Sequence, residues 1–164
     1  MALLILLRHG KAESVSATGG DFDRALTERG RRDCALMGRV LAEAGVTIDI
    51  ALVSAARRAQ ETWEEAGRAF PRVPSQTVRG LYLAAPEQIL AVVNTVTEEL
   101  NVAVVGHNPG LHELALSLAG AAGARDLELD SFPTAAVAVF DRTGARGVEG
   151  VRLFLPRDHG GGPE

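Results

Sequence analysis

Residues 2–10 read Ala-Leu-Leu-Ile-Leu-Leu-Arg-His-Gly, so an uninterrupted apolar run leads directly into an arginine and a histidine. A continuous apolar run of this length is typical of a strand that is covered on both faces, as in parallel sheets. The pattern therefore predicts a buried first strand whose carboxyl end presents Arg8 and His9. Open α/β sheets bind their ligands beyond the carboxyl ends of the strands, which makes this pair a candidate for chemistry.

The rest of the chain alternates helical and strand patterns. Helices are expected at about 27–44, at 54–70 before a proline, at 86–100 and around 111–118. Further strands are expected at 48–53, 76–78, 102–105, 134–140 and 148–155. Strands that alternate with helices predict an α/β fold, a three-layer α/β/α sandwich around a mostly parallel sheet. The last two strands are expected to form a pair joined by a turn, with an antiparallel strand in the sheet.

Composition limits the class of protein. The chain has 164 residues, 46% of them hydrophobic, and a net charge of -4, which is an ordinary globular balance and argues against a nucleic-acid binder. We expect one domain over residues 1–156 and a disordered glycine-rich tail over 157–164. We also expect a monomer in the cytoplasm with no membrane partner. The single cysteine, Cys34, fits a reducing compartment, and no apolar run is long enough for a membrane span.

Other segments place cations and a second histidine in the same structural context as His9. His107 and Asn108 follow a short apolar strand, Arg58 begins a helix after another strand, and Arg24 lies in the loop that leaves the first strand. The carboxyl ends of parallel strands lie at one edge of a sheet, so His9 and His107 can converge. Taken alone, His9 is also consistent with a structural histidine that binds nearby backbone.

Four ordered blocks, "LLRHGKAE", "DFDRALTERG", "LVSAARRAQET" and "VVGHNPGL", resemble the histidine phosphatase superfamily, in its branch of short SixA-type phosphohistidine phosphatases. The resemblance covers roughly residues 3–140 and implies a phosphoglycerate mutase-like fold. It implies that His9 is a nucleophile that becomes phosphorylated, that Arg8 and Arg58 clamp the phosphate, and that His107 is the second active-site histidine. Arg24 matches an arginine that can also reach the phosphate in the short branch.

The physical chemistry of phosphoryl transfer fits these residue types. The reaction asks the protein to position groups and to neutralise phosphate oxygens, and the planar, permanently charged arginine fork is suited to that task. Gly10 is expected to let the ligand approach the backbone, and Asn108 to contribute to substrate binding. No metal or other cofactor is expected, because the spacing of His107 and His112 does not suit a shared metal.

The proton donor for the leaving group is the point at which the chain departs from larger members of the superfamily. Those members carry a carboxylate near the start of the middle helix. In the corresponding stretch here, residues 79–87, no carboxylate stands before Leu81-Tyr82. Glu87 is either a general acid or a carboxylate that interacts favourably with the helix dipole. A missing acid favours an imidazole leaving group, whose conjugate acid has a pKa of about 6.5, over a basic alkoxide.

The expected function is therefore that of a metal-independent phosphatase that removes phosphate from phosphohistidine on a signalling protein. The alternative is a small-molecule phosphomonoesterase of the same superfamily, with a small phosphorylated substrate. A non-catalytic phosphate-binding module is a third reading. Such a module is expected to have lost His9 or an arginine of the clamp, and the chain keeps them all.

Overall fold

Six strands and four α-helices alternate along residues 2–163, the part of the chain that the computed structural model describes. Met1 of the predicted domain and Glu164 of the predicted tail lie outside the described residues. The strands are β1 (Leu3–Arg8), β2 (Ile50–Ser54), β3 (Ser75–Val78), β4 (Val102–Gly106), β5 (Val137–Asp141) and β6 (Arg152–Phe154). The helices are α1 (Glu28–Glu43), α2 (Arg57–Ala66), α3 (Pro86–Val93) and α4 (Gly110–Ala122).

The strands form one sheet in the order β3-β2-β4-β1-β5-β6. The first four of these are parallel, β5 is antiparallel to β1, and β6 is antiparallel to β5. Side chains of β1 alternate between two cores: Leu4 and Leu6 pack with α3 and α4, whereas Ile5 and Leu7 pack with α1 and α2. The predicted three-layer α/β/α sandwich is therefore confirmed, including the antiparallel strand.

The register of the central strands brings the two histidines together. Arg8 at the end of β1 is paired with Gly106 at the end of β4, so His9 and His107 leave the sheet side by side. The backbone N–H of His9 donates to the carbonyl of Gly106 at 3.1 Å. Because His9 and His107 directly follow the buried, paired strands β1 and β4, the sheet fixes the backbone positions of both histidines.

Helix α3 is shorter than the apolar periodicity predicts, ending at Val93 rather than at Leu100. Residues 94–100 form turns, and their carbonyl groups are bound by a side chain from another part of the fold. The guanidinium of Arg142 donates to the carbonyl oxygens of Thr97 and Leu100 at 2.7 and 2.8 Å. Arg142 thus supplies the donors that further helical turns would have provided.

Other boundaries also differ from the predicted ones. Helix α2 ends at Ala66 and continues as a 3-10 turn, and β6 is short because residues 147–150 form another 3-10 turn. Strand β5 begins at Val137 instead of residue 134. Ala135, two residues before the strand, has a φ of 62°, and its N–H donates to the carbonyls of Arg8 and His9, so this segment turns toward the end of β1.

The segment after β6, expected to be a disordered tail, is ordered against α1 over residues 157–163. Residues Pro156–His159 form a 3-10 turn, and the N–H of Gly162 donates to the buried carboxylate of Asp33 at 3.1 Å. A buried carboxylate needs hydrogen-bond donors, and the glycine-rich backbone supplies one. Composition alone did not reveal this partner.

Two further features of the chain follow from the packing. Cys34 is buried, as the sequence predicted, and burial raises the pKa of its thiol to about 12. None of the helices within residues 2–163 has the length and apolar character that crossing a membrane requires.

The close contact between α1 and α2 predicts opposite effects for two glycine substitutions. A Cβ at Gly38 would lie 2.3 Å from the carbonyl oxygen of Ala66, whereas a Cβ at Gly120 on α4 would have no atom within 4 Å. Gly38→Ala should lower the free energy of unfolding by about 1–3 kcal/mol, because overpacking forces the helices apart. Gly120→Ala should raise it by up to about 1 kcal/mol, because alanine is the better helix former. Urea denaturation measures both, and equal effects at the two positions would contradict the packing.

Candidate active site

A cleft of about 340 Å³ lies at the carboxyl ends of β1 and β4. Six of the eight predicted site residues line it: Arg8, His9, Arg24, Arg58, His107 and Asn108. The rings of His9 and His107 face each other with their centroids 5.3 Å apart. The four sequence blocks that carry these residues therefore converge in space.

The ring of His9 is held in one orientation by the backbone. Its Nδ1 lies 2.8 Å from the carbonyl oxygen of Gly10, and since a carbonyl can only accept, Nδ1 carries the proton. The other nitrogen, Nε2, then keeps its lone pair and accepts a long hydrogen bond of 3.3 Å from Nε of Arg58. His9 thus has a nitrogen with a free lone pair beside the guanidinium of Arg58, and both residues line the cleft.

His9 is neutral over the physiological pH range. Burial and the nearby His107, Arg8 and Arg58, partly offset by the hydrogen bond to Gly10, together lower the pKa of His9 to about 3. Only the neutral imidazole has the free electron pair that nucleophilic attack requires. Burial, with a smaller contribution from the neighbouring cations, therefore keeps the imidazole neutral.

Arg58, in the first turn of α2, is held by Asp21 from the loop after β1. Its Nη1 and Nη2 donate to the carbonyl oxygen and to Oδ2 of Asp21 at 2.8 and 3.0 Å. The hydroxyl of Tyr82 donates to the same Oδ2 at 2.5 Å. The hydrogen bond from Tyr82 and the two arginines Arg24 and Arg58 hold the pKa of Asp21 well below its usual range, so the carboxylate is ionised.

Arg24 lies in the cleft but is turned toward the loop. Its Nε and Nη2 contact Oδ1 of Asp21 at 3.0 and 2.9 Å, and its Nη1 donates to the carbonyl of Glu13 at 2.8 Å. Each nitrogen of its guanidinium thus has a protein partner in this structure. The predicted contact with phosphate would require the pair with Asp21 to rearrange.

Arg8 and Asn108 are tied to the segment that enters β5. Nη1 of Arg8 and Nδ2 of Asn108 donate to the carbonyl oxygen of Phe132 at 3.1 and 2.8 Å. Burial, and to a smaller extent Arg58, lowers the pKa of Arg8 from its usual 12.5. One carbonyl group therefore orients two side chains from different strands toward the cleft.

His107 is the more deeply buried of the two histidines. Its Nε2 is hydrogen-bonded to Oγ of Ser54, at the end of β2, at 2.7 Å. Burial and the neighbouring Arg58 lower the pKa of His107 to about 4, so this ring is also neutral near pH 7. Its Nδ1 is buried and has no hydrogen-bond partner among the described residues.

Gly10 and Glu87, the two remaining predicted site residues, do not line the cleft. A Cβ at Gly10 would lie 2.6 Å from Sγ of Cys34 and 2.8 Å from the carbonyl oxygen of Gly30, so the glycine is needed for packing against α1 rather than for ligand approach. Glu87 is exposed in the first turn of α3, whose buried face carries Ile89 and Val93. The structure therefore places Glu87 away from the reacting atoms.

Three residues that sequence reasoning did not select complete the arrangement: Asp21, Ser54 and Tyr82. Asp21 stands three residues before Arg24, and this spacing of opposite charges was a usable signal. Residues 2–163 contain no group of three or more His, Cys, Asp or Glu side chains that could hold a metal ion. The absence of a cofactor stays a prediction.

Comparisons with known proteins agree with this geometry. The profile of the histidine phosphatase superfamily (branch 1) matches residues 4–82. A solved structure assigned as the phosphohistidine phosphatase SixA of Agrobacterium tumefaciens is 28% identical, with a TM-score of 0.80 over 94% of this chain and 96% of that one. The profile and the solved structure together show that the chain is similar to the histidine phosphatase superfamily. The predicted fold family is thereby confirmed.

Other relatives of this chain carry more than one activity in their names. The protein histidine phosphatase SixA in complex with tungstate is 25% identical, with a TM-score of 0.74 over 95% of this chain and 98% of that one. The 2,3-bisphosphoglycerate-dependent phosphoglycerate mutase of Bartonella henselae is 43% identical over 61 residues. That match covers 36% of this chain and 30% of the mutase, so the chain spans under a third of this curated relative.

The two buried neutral histidines predict a loss of stability in mild acid. The unfolded chain takes up their protons near pH 6.5, whereas the folded protein does so only near pH 3 for His9 and pH 4 for His107. Their contribution to stability is therefore complete above about pH 6.5 and is lost as the pH falls. Between pH 7 and 5 each should cost about 1–2 kcal/mol of unfolding free energy.

Thermal or urea unfolding in phosphate-free buffer measures this pH dependence. The His9→Asn and His107→Asn variants should each show a shallower loss of stability than the original protein. Lowered carboxylate pKa values, such as that of Asp21, act only near pH 4 and below and leave this window undisturbed. An unchanged pH dependence in both variants would contradict the assignment of neutral histidines.

Proposed function

We propose that this protein is a metal-independent phosphatase that works through a phosphorylated His9. The observation that carries the proposal is the fixed ring of His9, with its proton on Nδ1 toward Gly10 and its lone pair on Nε2 beside Arg58. The likeness to the histidine phosphatase superfamily supports the same reaction.

The reaction has two steps. In the first, the lone pair of Nε2 attacks phosphorus, the bond from phosphorus to the leaving group breaks, and its electron pair departs with the leaving group. In the second, a water molecule attacks the phosphorus of phosphohistidine, the bond from phosphorus to Nε2 breaks and returns its electron pair to Nε2, and a proton of the water passes to the solvent. Inorganic phosphate is released and neutral His9 is restored. Arg8 and Arg58 neutralise charge on the phosphate oxygens in both steps, which is the main contribution a protein makes to phosphoryl transfer.

Phosphohistidine on a signalling protein is the substrate that we infer. Asp21 is the carboxylate that lines the cleft, and it is ionised, while Glu87 lies outside. A site without a protonated acid suits a leaving group that needs little protonation, such as imidazole. The likeness to SixA phosphohistidine phosphatases over nearly the whole chain supports this choice.

A small-molecule phosphomonoesterase is the second candidate. It is favoured by the 43% identity with a phosphoglycerate mutase, although over 61 residues only. Both candidates use the same arginines and histidines, so they differ in the leaving group. In either case a monomer acting in the cytoplasm is part of the proposal. The single buried cysteine fits a reducing compartment.

Two neighbouring arginines offer a matched test of the clamp. The side chain of Arg58 is 2% exposed and faces the cleft, whereas that of Arg57 is 46% exposed and pairs with Glu61 at 3.2 Å. Arg58→Ala should lower kcat by about 100- to 1,000-fold, the usual loss for one preorganised donor to a transition-state oxyanion. Arg57→Ala should retain most of the activity. Similar losses in both variants would show that position 58 holds no special role.

A series of leaving groups tests the proposed substrate class. Without an acid in the cleft, kcat/KM should fall steeply from phosphohistidine and aryl phosphates to alkyl and sugar phosphates. Glu87→Gln should follow the same dependence, and His9→Ala should be inactive on every substrate. Steady-state kinetics over the series provides the measurement. A flat dependence that becomes steep in Glu87→Gln would make Glu87 the acid and favour the small-molecule candidate.

A further inference from the structure

The charged cleft has an apolar rim, formed by Val15, Phe22 and Leu83. They are three of the six exposed large apolar side chains among the described residues, with 75, 45 and 54% of their surface accessible. Leu83 lines the cleft itself, and the ring of Phe22 packs against Tyr82 with centroids 4.9 Å apart. Val15 borders an adjoining depression that shares Asp21 and Arg24 with the cleft.

Leu83 is held in an unfavourable backbone conformation. Its φ is 51°, in the left-handed region that glycine adopts readily and a leucine does not. Because its side chain is half exposed, folding gains little from keeping a leucine there. Strained residues cluster at ligand-binding sites, where the strained side chain serves recognition. The position of Leu83 in the cleft wall gives it access to whatever binds there.

We infer that this rim is a docking surface for a folded protein whose phosphorylated histidine enters the cleft and is flanked by apolar side chains. The inference rests on the proposed function and identifies the surface that selects its protein substrate. One continuous surface offers both contacts that such a substrate needs. Arg8, Arg58 and Lys11 are complementary in charge to the phosphoryl dianion, and the rim is complementary to the apolar side chains around the phosphohistidine. Exposed apolar groups that border a functional cleft are typical of interaction sites.

Small phosphorylated metabolites fit this surface poorly. A substrate anchored by its phosphoryl group at His9 must extend outward past the rim. On this path the hydroxyl or carboxylate groups of a sugar phosphate or a phosphoglycerate would meet Val15, Phe22 and Leu83, which offer them no hydrogen bonds. The rim therefore favours a protein surface with leucine-like neighbours over such molecules.

The test uses two phosphorylated probes that share a leaving group. One is a small folded helical protein with a single phosphohistidine flanked by leucines, and the other is the same protein with those leucines replaced by serine. The original enzyme should show a kcat/KM at least ten-fold higher for the leucine-flanked probe. In Leu83→Gly, which also relieves the backbone conformation, this preference should fall to less than three-fold.

Further variants keep the test decisive. Val15→Ser, at the most exposed of the three positions, should also lower the preference, and it serves if Leu83→Gly fails to fold. The matched control is Leu116→Ser, because Leu116 is 46% exposed on α4 and does not line the cleft. It should keep the full preference. Sedimentation of the original enzyme should show a monomer, whereas self-association that Leu83→Gly abolishes would make the rim an interface between copies and overturn the inference.

The outcomes separate the docking surface from the proposed function. Equal kcat/KM values for the two probes, or a preference that survives in both rim variants, would overturn the docking surface and leave the phosphatase proposal intact. Failure of the original enzyme to dephosphorylate either probe, with turnover of sugar phosphates instead, would overturn the proposed protein substrate and the docking surface together.

Discussion

Arg58 carries a positive charge while almost fully buried, so its guanidinium must find acceptors inside the protein. Asp21 supplies two of them, one from its carbonyl group and one from its carboxylate, and His9 supplies a third. This ion pair joins the loop after β1 to the start of α2. The position of Arg58 relative to the nucleophile, and the conformation of the loop that carries Arg24, both depend on it. The same carboxylate offsets the repulsion among three arginines that share one cleft.

The electrostatics of the cleft favour anions without charging the histidines. Burial and the nearby arginines keep His9 and His107 neutral, because an additional cation among them would be costly. A bound phosphate would supply negative charge and reverse part of this effect. The protonation states of both rings are therefore coupled to occupancy of the site, so the free protein and its phosphate complex differ in the protons that they hold.

The parts of this structure that follow from local pattern were predictable, and those that depend on distant partners were not. The apolar run before Arg8 and the one before His107 define two parallel strands, and their ends had to converge once they were paired. The end of α3 depends on Arg142, which stands far along the chain from the carbonyls that it binds. The order of the tail depends in the same way on the buried carboxylate of Asp33.

Residue roles were harder to predict than residue positions. A glycine after His9 suits both ligand approach and helix packing, and only the contact with Cys34 shows that packing decides. The spacing of Asp21 and Arg24 indicates a local charge pair, but it does not indicate the contact of Asp21 with Arg58. The task of Asp21 is to orient the arginines, and that task becomes visible only when the loop is seen against α2.

Because β5 runs antiparallel to β1, its first residue lies at the end of the sheet that carries the cleft and its last residue lies at the other end. The segment that enters β5, with Phe132 and Thr134, lies at the cleft, whereas the exposed connection at 143–146 that follows β5 lies at the opposite edge of the sheet. Changes in length before the strand would thus alter the wall of the cleft. A fluorescent reporter or affinity tag inserted at 143–146 would instead be separated from the reacting groups by the length of the sheet. The fold thereby provides a site for labelling the enzyme at a distance from its chemistry.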